Sequence, residues 1–187
     1  SEFLDRRLWT PLGMEDTTFY LTEEQKRRVA PTIYQDGALR KGEVHDPLAH
    51  LSVGWRYTPG NAGLFSTADD LSRYIRMILN DGVFENQRVF QSATVDKLTS
   101  DQTGDLELGR AFGWGIGESR AYRTSRNGLV EYACPIHTGY TGTLIWFDTL
   151  SGAWVIFLSN CVYPDDNSEN KRAVIEGRRE IVSTILD

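Results

Sequence analysis

The sequence predicts an α/β fold of the α+β kind, in which an antiparallel sheet of at least three strands is covered on one face by a C-terminal helix. Two apolar runs, 143–147 and 153–158, flank a turn-forming segment at 148–152, which is typical of an antiparallel hairpin. The first half is predicted to be helical and rich in loops. The last segment, 169–186, predicts an amphipathic helix lying across the sheet, because it carries at helical spacing Val174, Ile175, Arg178, Ile181, Val182 and Ile185.

Size, composition and charge limit the classes of function. The 187 residues suit a single domain over 1–187, and a content of 40% hydrophobic and 25% charged residues is that of a globular protein. A net charge of -6 without a basic stripe opposes binding to nucleic acid or to an anionic membrane surface. No apolar run is long enough to span a bilayer. We therefore expect no nucleic-acid partner and no membrane span in this chain.

The N-terminal third predicts two short helices and a long loop. Apolar residues within 1–8 lie on one helical face, and Pro11 is predicted to end that helix. Because the chain starts inside or at the edge of this helix, we expect that a further segment normally precedes it. Residues 22–25 match a capping box that starts a short helix before Pro31. Residues 32–61, rich in Gly, Pro, Asp and His, predict a long loop that borders a site.

The middle of the chain predicts scaffold elements. A Ser-Thr N-cap at 66–67 starts the clearest helix, which has acidic residues in its first turn and ends at an Asn-Asp-Gly sequence. A second short helix, 92–98, is predicted to be capped by Ser92. Large apolar residues alternate with glycine at 112–116, which predicts a strand pressed against other backbone. The polar stretch 118–127 predicts a loop or an edge hairpin.

Histidines and cysteines offer little chemistry at their sequence positions. The spacing of His45 and His50 could supply metal ligands, but no further ligand has a recognisable spacing, so we expect no metal site and no cofactor. Cys134 and Cys161 are too few for a disulfide framework. The predicted hairpin register places Cys161 opposite about Gly139 rather than opposite Cys134, so a bridge between the two is left open but not favoured.

The segment from His137 to Gly142 lies where the first strand of the hairpin unit begins. Its small and hydroxyl-bearing residues allow the backbone to come close to another group. It is either a core hairpin with a flexible entry or an active-site strand on which the His137 imidazole acts as acid, base or hydrogen-bond donor. A single Ser-x-x-Lys sequence, Ser168 to Lys171, comes after it, near the start of the last helix.

Six segments together resemble a known family. In this order the chain contains Pro11 to Phe19, Val44 to Pro47, Asn61 to Leu71, Phe112 to Gly115, His137 to Gly142 and Leu158 to Asn160. The series resembles the C-terminal part of the serine β-lactamase-like superfamily, in the class C branch that includes D-alanyl-D-alanine carboxypeptidases and related esterases. The resemblance covers nearly the whole chain. It implies a partial β-lactamase/transpeptidase-like fold and an extracytoplasmic location, periplasmic or secreted.

The resemblance assigns roles to four residues of the central segment. The third motif of the family is Lys or His, then Thr or Ser, then Gly, on an edge strand, and His137, Thr138 and Gly139 match it in the His variant. By resemblance, His137 supports proton transfer or substrate binding, and Thr138 hydrogen-bonds the substrate. The backbone amide of Tyr140 supplies one half of the oxyanion hole. Gly139 and Gly142 are then expected because bulk at this edge would block the substrate.

The chain departs from the family in lacking a nucleophile. The family's S-x-x-K and its Y-x-N or S-x-N motif come well before the third motif, whereas Ser168 to Lys171 follows it and is rejected as the nucleophile. We therefore expect a C-terminal fragment of a serine hydrolase, inactive alone, whose complete form takes a small-molecule or peptide substrate. The alternatives are a non-catalytic module that binds peptide or peptidoglycan and a purely structural domain.

Two further expectations concern surfaces. Trp55, Arg56 and Tyr57 lie in the predicted loop and either contact the substrate or serve in packing. A fragment without the N-terminal strands of the fold would expose apolar surface and an unpaired strand edge, and we therefore expect self-association.

Overall fold

The computed structural model describes residues 1–54, 57–104, 109–116 and 134–186, apart from the side chains of residues 52–54 and 186. The chain begins with a continuous helical stretch made of α1 (Glu2–Leu4), a π-helical segment (Asp5–Trp9) and α2 (Thr10–Leu12). The predicted helix is present, but Pro11 lies inside it, in the first turn of α2 where a missing N–H is tolerated. The helix ends instead at Gly13, whose φ is 64°.

The capping box is confirmed at the start of α3 (Glu23–Arg28). Thr22 Oγ1 accepts a hydrogen bond from the Gln25 amide at 3.2 Å, and the Thr22 amide donates to Gln25 Oε1 at 3.0 Å. Each side chain thus satisfies a backbone donor that has no partner within the helix.

The prediction of a long loop over 32–61 is wrong. Strands β1 (Pro31–Gln35) and β2 (Ala38–Lys41) form an antiparallel hairpin, and α4 (Pro47–Gly54) follows. The turn residues Asp36 and Gly37 both have positive φ, 55° and 77°, as the Asp-Gly pair in a tight hairpin turn requires. The Asp-Gly pair is a local sequence signal for this hairpin. The prediction overlooked it because the segment has no hydrophobic period.

The central helix α5 (Ala68–Leu79) is confirmed with its cap. Thr67 Oγ1 accepts from the Asp70 amide at 3.2 Å, and Gly82 closes the helix by donating its amide to the Met77 carbonyl at 2.8 Å. Ile75, Met77 and Ile78 are buried. The helix therefore forms one side of the larger core.

A small hairpin and a short helix follow. The hairpin, which the sequence analysis missed, pairs β3 (Val83–Phe84) with β4 (Gln87–Arg88). Helix α6 (Ser92–Thr99) is present, but its predicted cap is wrong, because Gln91 is the N-cap and makes no capping side-chain bond. The Ser92 hydroxyl instead donates to Asp81 Oδ1 at 2.6 Å.

Within the described residues, the main sheet has four antiparallel strands in sequential order: β5 (Gly115–Ile116), β6 (Pro135–Thr138), β7 (Leu144–Phe147) and β8 (Trp154–Phe157). The predicted hairpin is β7 paired with β8, in a register that places Leu144 opposite Phe157. The predicted strand at 112–116 is confirmed only in its last two residues. The prediction for 118–127 lies outside the described residues.

Both faces of the sheet are covered. Leu144, Trp146 and Val155 pack with Val182 of the C-terminal helix α7 (Ser168–Leu186), as predicted. The alternate residue Phe147 packs on the opposite face, in a core formed with Trp9, Leu12, Ile75, Ile78 and Trp114. The helical first half therefore adds a second covering layer to the single one that the sequence predicted.

Candidate active site

The central motif lies at the end of β6 and in the turn after it. His137 and Thr138 are the last two residues of the strand, and both side chains are exposed. The Gly139 amide donates to the Thr143 carbonyl at 2.8 Å, and the Gly142 amide donates to the Gly139 carbonyl at 3.1 Å. The intervening residues form a tight turn before β7.

The expectation of an edge strand is only half correct. Strand β6 lies between β5 and β7, but among the described residues β5 pairs with it only at Pro135 and Ile136. Beyond that point β6 pairs on one side only, through His137 to Ile145 and Thr138 to Leu144. Within the described part of the chain, the motif therefore has one free strand edge, at which an extended ligand could pair with the backbone.

The surroundings of His137 favour the neutral form of its imidazole. Its ring meets Trp114 edge-on, with 6.3 Å between ring centroids and an interplanar angle of 88°. Partial burial lowers the pKa of His137, and the nearby positive charge of Arg110 lowers it further. A neutral imidazole can accept a proton or a hydrogen bond, as a general base requires.

The amide of Tyr140 is available to a ligand. Among the described residues it donates no hydrogen bond to a backbone or side-chain acceptor. The Tyr140 side chain, by contrast, is held at several points. Its hydroxyl donates to Asp166 Oδ2 at 2.8 Å and accepts from Lys171 Nζ at 2.7 Å, while its ring stacks on His45 with centroids 5.2 Å apart.

Asp166 and Lys171 also bind each other, with 2.5 Å between Lys171 Nζ and Asp166 Oδ1. The hydrogen bond to Asp166, followed by that to Tyr140, raises the pKa of Lys171 to about 12. The same bond from Lys171, followed by the bond from Tyr140, lowers the pKa of Asp166. Both shifts favour the ionised forms of the pair, which holds the Tyr140 side chain in one place.

Residues that follow β8 donate hydrogen bonds to carbonyl groups of the turn. The Cys161 amide donates to the Thr141 carbonyl at 2.7 Å, and the Ser159 hydroxyl donates to the Gly142 carbonyl at 2.8 Å. A Cβ on Gly142 would lie 2.6 Å from Ser159 Oγ, and one on Gly139 would lie 2.3 Å from Thr143 Oγ1. Close contacts within the chain thus explain why both positions are glycine. This reason differs from the predicted one, which was that a side chain here would block the substrate.

The chain as a whole is similar to a known protein family. A family model described as Beta-lactamase matches residues 1–178, which is almost the whole chain. The chain belongs to the β-lactamase family. An Escherichia coli K12 relative, provisionally named a D-alanyl-D-alanine carboxypeptidase, is 27% identical over 173 residues, which cover 84% of this chain and 39% of that protein.

Solved structures support the same fold. The Beta-lactamase/D-alanine Carboxypeptidase from Yersinia pestis, complexed with citrate, aligns with all of this chain and 49% of its own, with a TM-score of 0.60 and 18% identity. Simvastatin Synthase (LovD) from Aspergillus terreus aligns with 98% of this chain and 50% of its own, with a TM-score of 0.64 and 15% identity. The chain therefore spans about half the length of these structures and less than half that of the curated relative.

Several contacts of the central motif were missed by sequence reasoning. His45 has a part in the sequence analysis only as a possible metal ligand and within the segment Val44 to Pro47, and Lys171 only within a Ser-x-x-Lys sequence. Asp166 carried no signal, since its contacts span 26 residues to Tyr140. Arg178 did carry one, because it is a cation in the apolar stripe of α7.

The remaining predicted site residues do not join the motif. Trp55 and Arg56 lie outside the described residues. Tyr57 is 65% exposed, and no hydrogen bond or ring contact joins it to the motif within the described chain. A cavity of about 700 Å³ opens between the N-terminal helical stretch and α3, but no motif residue lines it. The free edge of β6 is the better candidate site, because exposed polar residues lie there beside an available amide.

The next features are the candidate metal ligands and the two cysteines among the described residues. Among them, no group of three or more His, Cys, Asp or Glu residues is placed to hold a metal ion. His50 Nδ1 lies 4.0 Å from Glu43 Oε2, whereas His45 stacks on Tyr140. Cys134 and Cys161 are both free thiols. No helix in the described part of the chain is long and apolar enough to cross a membrane.

Proposed function

We propose that this chain is the C-terminal part of a serine hydrolase of the β-lactamase and D-alanyl-D-alanine carboxypeptidase type. Such an enzyme forms an acyl-enzyme on an amide, an ester or a β-lactam. The observation that carries the proposal is the Tyr140 amide, which has no acceptor among the described residues, beside two exposed polar residues, His137 and Thr138, at the end of β6 that pairs with β7 only. The curated relative is named for carboxypeptidase activity, which supports the same reaction class.

Each group has a role in this proposal. When a serine attacks the substrate carbonyl, the carbonyl oxygen becomes an anion, and the Tyr140 amide donates a hydrogen bond to it. The Thr138 hydroxyl hydrogen-bonds the bound substrate. The neutral His137 imidazole accepts a proton or a hydrogen bond. Gly139 connects β6 to the turn. In this proposal the free edge of β6 and the Tyr140 amide therefore contact the same substrate.

The nucleophile belongs to another part of the protein in this proposal. The sole Ser-x-x-Lys sequence of the chain begins at Ser168, after the motif, and its Lys171 is bound to Asp166 and Tyr140. We therefore propose that the chain alone is inactive, because an oxyanion donor without an attacking group forms no covalent intermediate. The family assignment also supports an extracytoplasmic location for the complete protein.

Labelling with a fluorescent penicillin tests the proposal. The chain itself should remain unlabelled, whereas the polypeptide that includes the residues encoded upstream of Ser1 should be labelled and should hydrolyse an activated ester. In that polypeptide His137→Gln should reduce labelling by at least tenfold, and His50→Gln, a histidine outside the motif, should leave it unchanged. A labelled serine within this chain would overturn the assignment. Ligand binding without any turnover by the longer polypeptide would instead support a non-catalytic binding module.

We also propose that this chain self-associates through β8. Within the described residues, β8 pairs with β7 alone, so its other edge carries unpaired amides and carbonyls. Trp154 and Leu158 keep 38% and 46% of their surface exposed at this strand. Light scattering should show a mass that rises with concentration. Trp154→Lys should lower that mass, whereas Leu150→Lys, in the β7–β8 turn, should not; a monomer at high concentration would refute the proposal.

A further inference from the structure

A buried arginine lies directly behind the motif. Arg178, on α7, is only 6% exposed. Its Nε donates to the Gly142 carbonyl at 2.9 Å, and its terminal NH2 group donates to the Gly139 carbonyl at 3.2 Å. One guanidinium thus joins the two ends of the turn that contains Tyr140.

Burial of this charge calls for an explanation. Removing a cation from water is unfavourable, and it is usually compensated by a carboxylate. Within the described residues no salt bridge involves Arg178, and its guanidinium donates to the two carbonyls. An apolar residue at this position would continue the apolar stripe of α7 without the unfavourable free energy of burying a charge. The arginine is therefore better explained by what it does to the turn than by its contribution to helix packing.

The geometry of the peptide bond links Arg178 to the proposed site. The Gly139 carbonyl and the Tyr140 amide belong to one planar unit, and in a trans peptide the oxygen and the N–H point in opposite directions. A donor that holds the oxygen on the helix side therefore turns the N–H away from the helix. The cation also withdraws electron density from the same unit, which makes the N–H a stronger donor.

We propose that Arg178 is a positioning residue for the Tyr140 amide. It orients this N–H toward the free edge of β6 and polarises it, while its second bond, to Gly142, fixes the other end of the turn. Its proposed effect on catalysis depends on the serine hydrolase function described above. Its effect on the amide does not, and the two can therefore be tested separately.

Amide exchange in the chain itself tests the positioning. Base-catalysed exchange passes through an anionic peptide, which a neighbouring cation stabilises, so Arg178→Met should slow exchange of the Tyr140 amide. Coulomb attraction across one peptide group near a protein surface supports a change of about tenfold to a hundredfold. The heteronuclear NOE of residues 139–142 should fall in the same variant. Arg179→Met is the matched control, since Arg179 is exposed on the same helix.

Arg178→Lys separates charge from geometry. The ammonium keeps the charge, so Tyr140 exchange should stay within about threefold of the wild type, but it lacks the planar fork that holds two carbonyls, so the NOE should still fall. A folded Arg178→Met variant whose Tyr140 exchange and NOE equal those of Arg179→Met would overturn the proposal. If Arg178→Met does not fold, an unchanged NOE in Arg178→Lys overturns it equally.

Kinetics in the longer polypeptide distinguish the two proposals. There, Arg178→Lys should lower kcat at least tenfold with KM nearly unchanged, because an oxyanion donor acts in the transition state more than on the bound substrate. An inactive wild type would refute the serine hydrolase function and leave the exchange result standing. An active wild type with an unaltered Arg178→Lys variant would refute the catalytic consequence of Arg178.

Discussion

Gly142→Ala should destabilise the chain far more than an ordinary glycine substitution. The φ of Gly142 is +122°, outside the left-handed region that other residues sometimes adopt, and a Cβ there would lie 2.6 Å from Ser159 Oγ. The same Cβ would lie 3.3 Å from the Cys161 nitrogen, which is backbone and cannot rotate away. Backbone strain of about 1–3 kcal/mol and overpacking of a similar size together give a loss of roughly 3 kcal/mol.

Gly152→Ala provides the matched comparison. Gly152 lies in the β7–β8 turn with a φ of +75°, and a Cβ on it would meet nothing within 4 Å. Only the left-handed backbone is then penalised, which costs about 1 kcal/mol. Urea unfolding followed by circular dichroism measures both variants. Equal losses in the two variants, or a smaller loss in Gly142→Ala, would refute the argument that this turn is packed tightly against the segment after β8.

Three further outcomes follow from buried or partly buried polar groups. Asp70→Ala should lower the free energy of unfolding by about 2–3 kcal/mol. The reason is that buried Asp70 accepts hydrogen bonds from Thr17 Oγ1 at 2.7 Å and from a backbone amide at 2.9 Å. Urea unfolding, compared with that of Asp70→Asn, measures this loss. Burial, assisted by the charge of Asp148, raises the pKa of Cys134 to about 12, so a thiol reagent at pH 8 should modify it only after unfolding. The folded pKa of His137 is lowered below that of the unfolded chain, so stability should fall as pH drops below about 6.5, and His137→Gln should weaken this dependence.

The parts of the fold predicted correctly are those fixed by contacts close in sequence. The capping box of α3, the cap of α5 and the β7–β8 hairpin each depend on residues within one helical turn or one tight turn. Errors came where two local signals competed. Residues 32–61 have no hydrophobic period, and this absence outweighed the Asp36-Gly37 turn that in fact sets the β1–β2 hairpin.

The candidate site was predicted in its motif but not in its support. His137 to Tyr140 could be identified because a strand and its turn are continuous in sequence. His45 and Asp166 could not, since they reach Tyr140 from segments that lie far away along the chain. Only Arg178 left a local sign, as a charged residue on the apolar face of a helix.

The conformation of the turn is therefore a property of the tertiary fold. One support comes from α7 through Arg178, and another from the segment after β8 through Ser159. The third comes through the Tyr140 side chain, which Asp166 and Lys171 hold. The first two supports act on carbonyl groups and the third on a side chain, so no bond of these three occupies the Tyr140 amide. An oxyanion donor needs this combination, because its N–H must be rigid and yet unpaired until the substrate arrives.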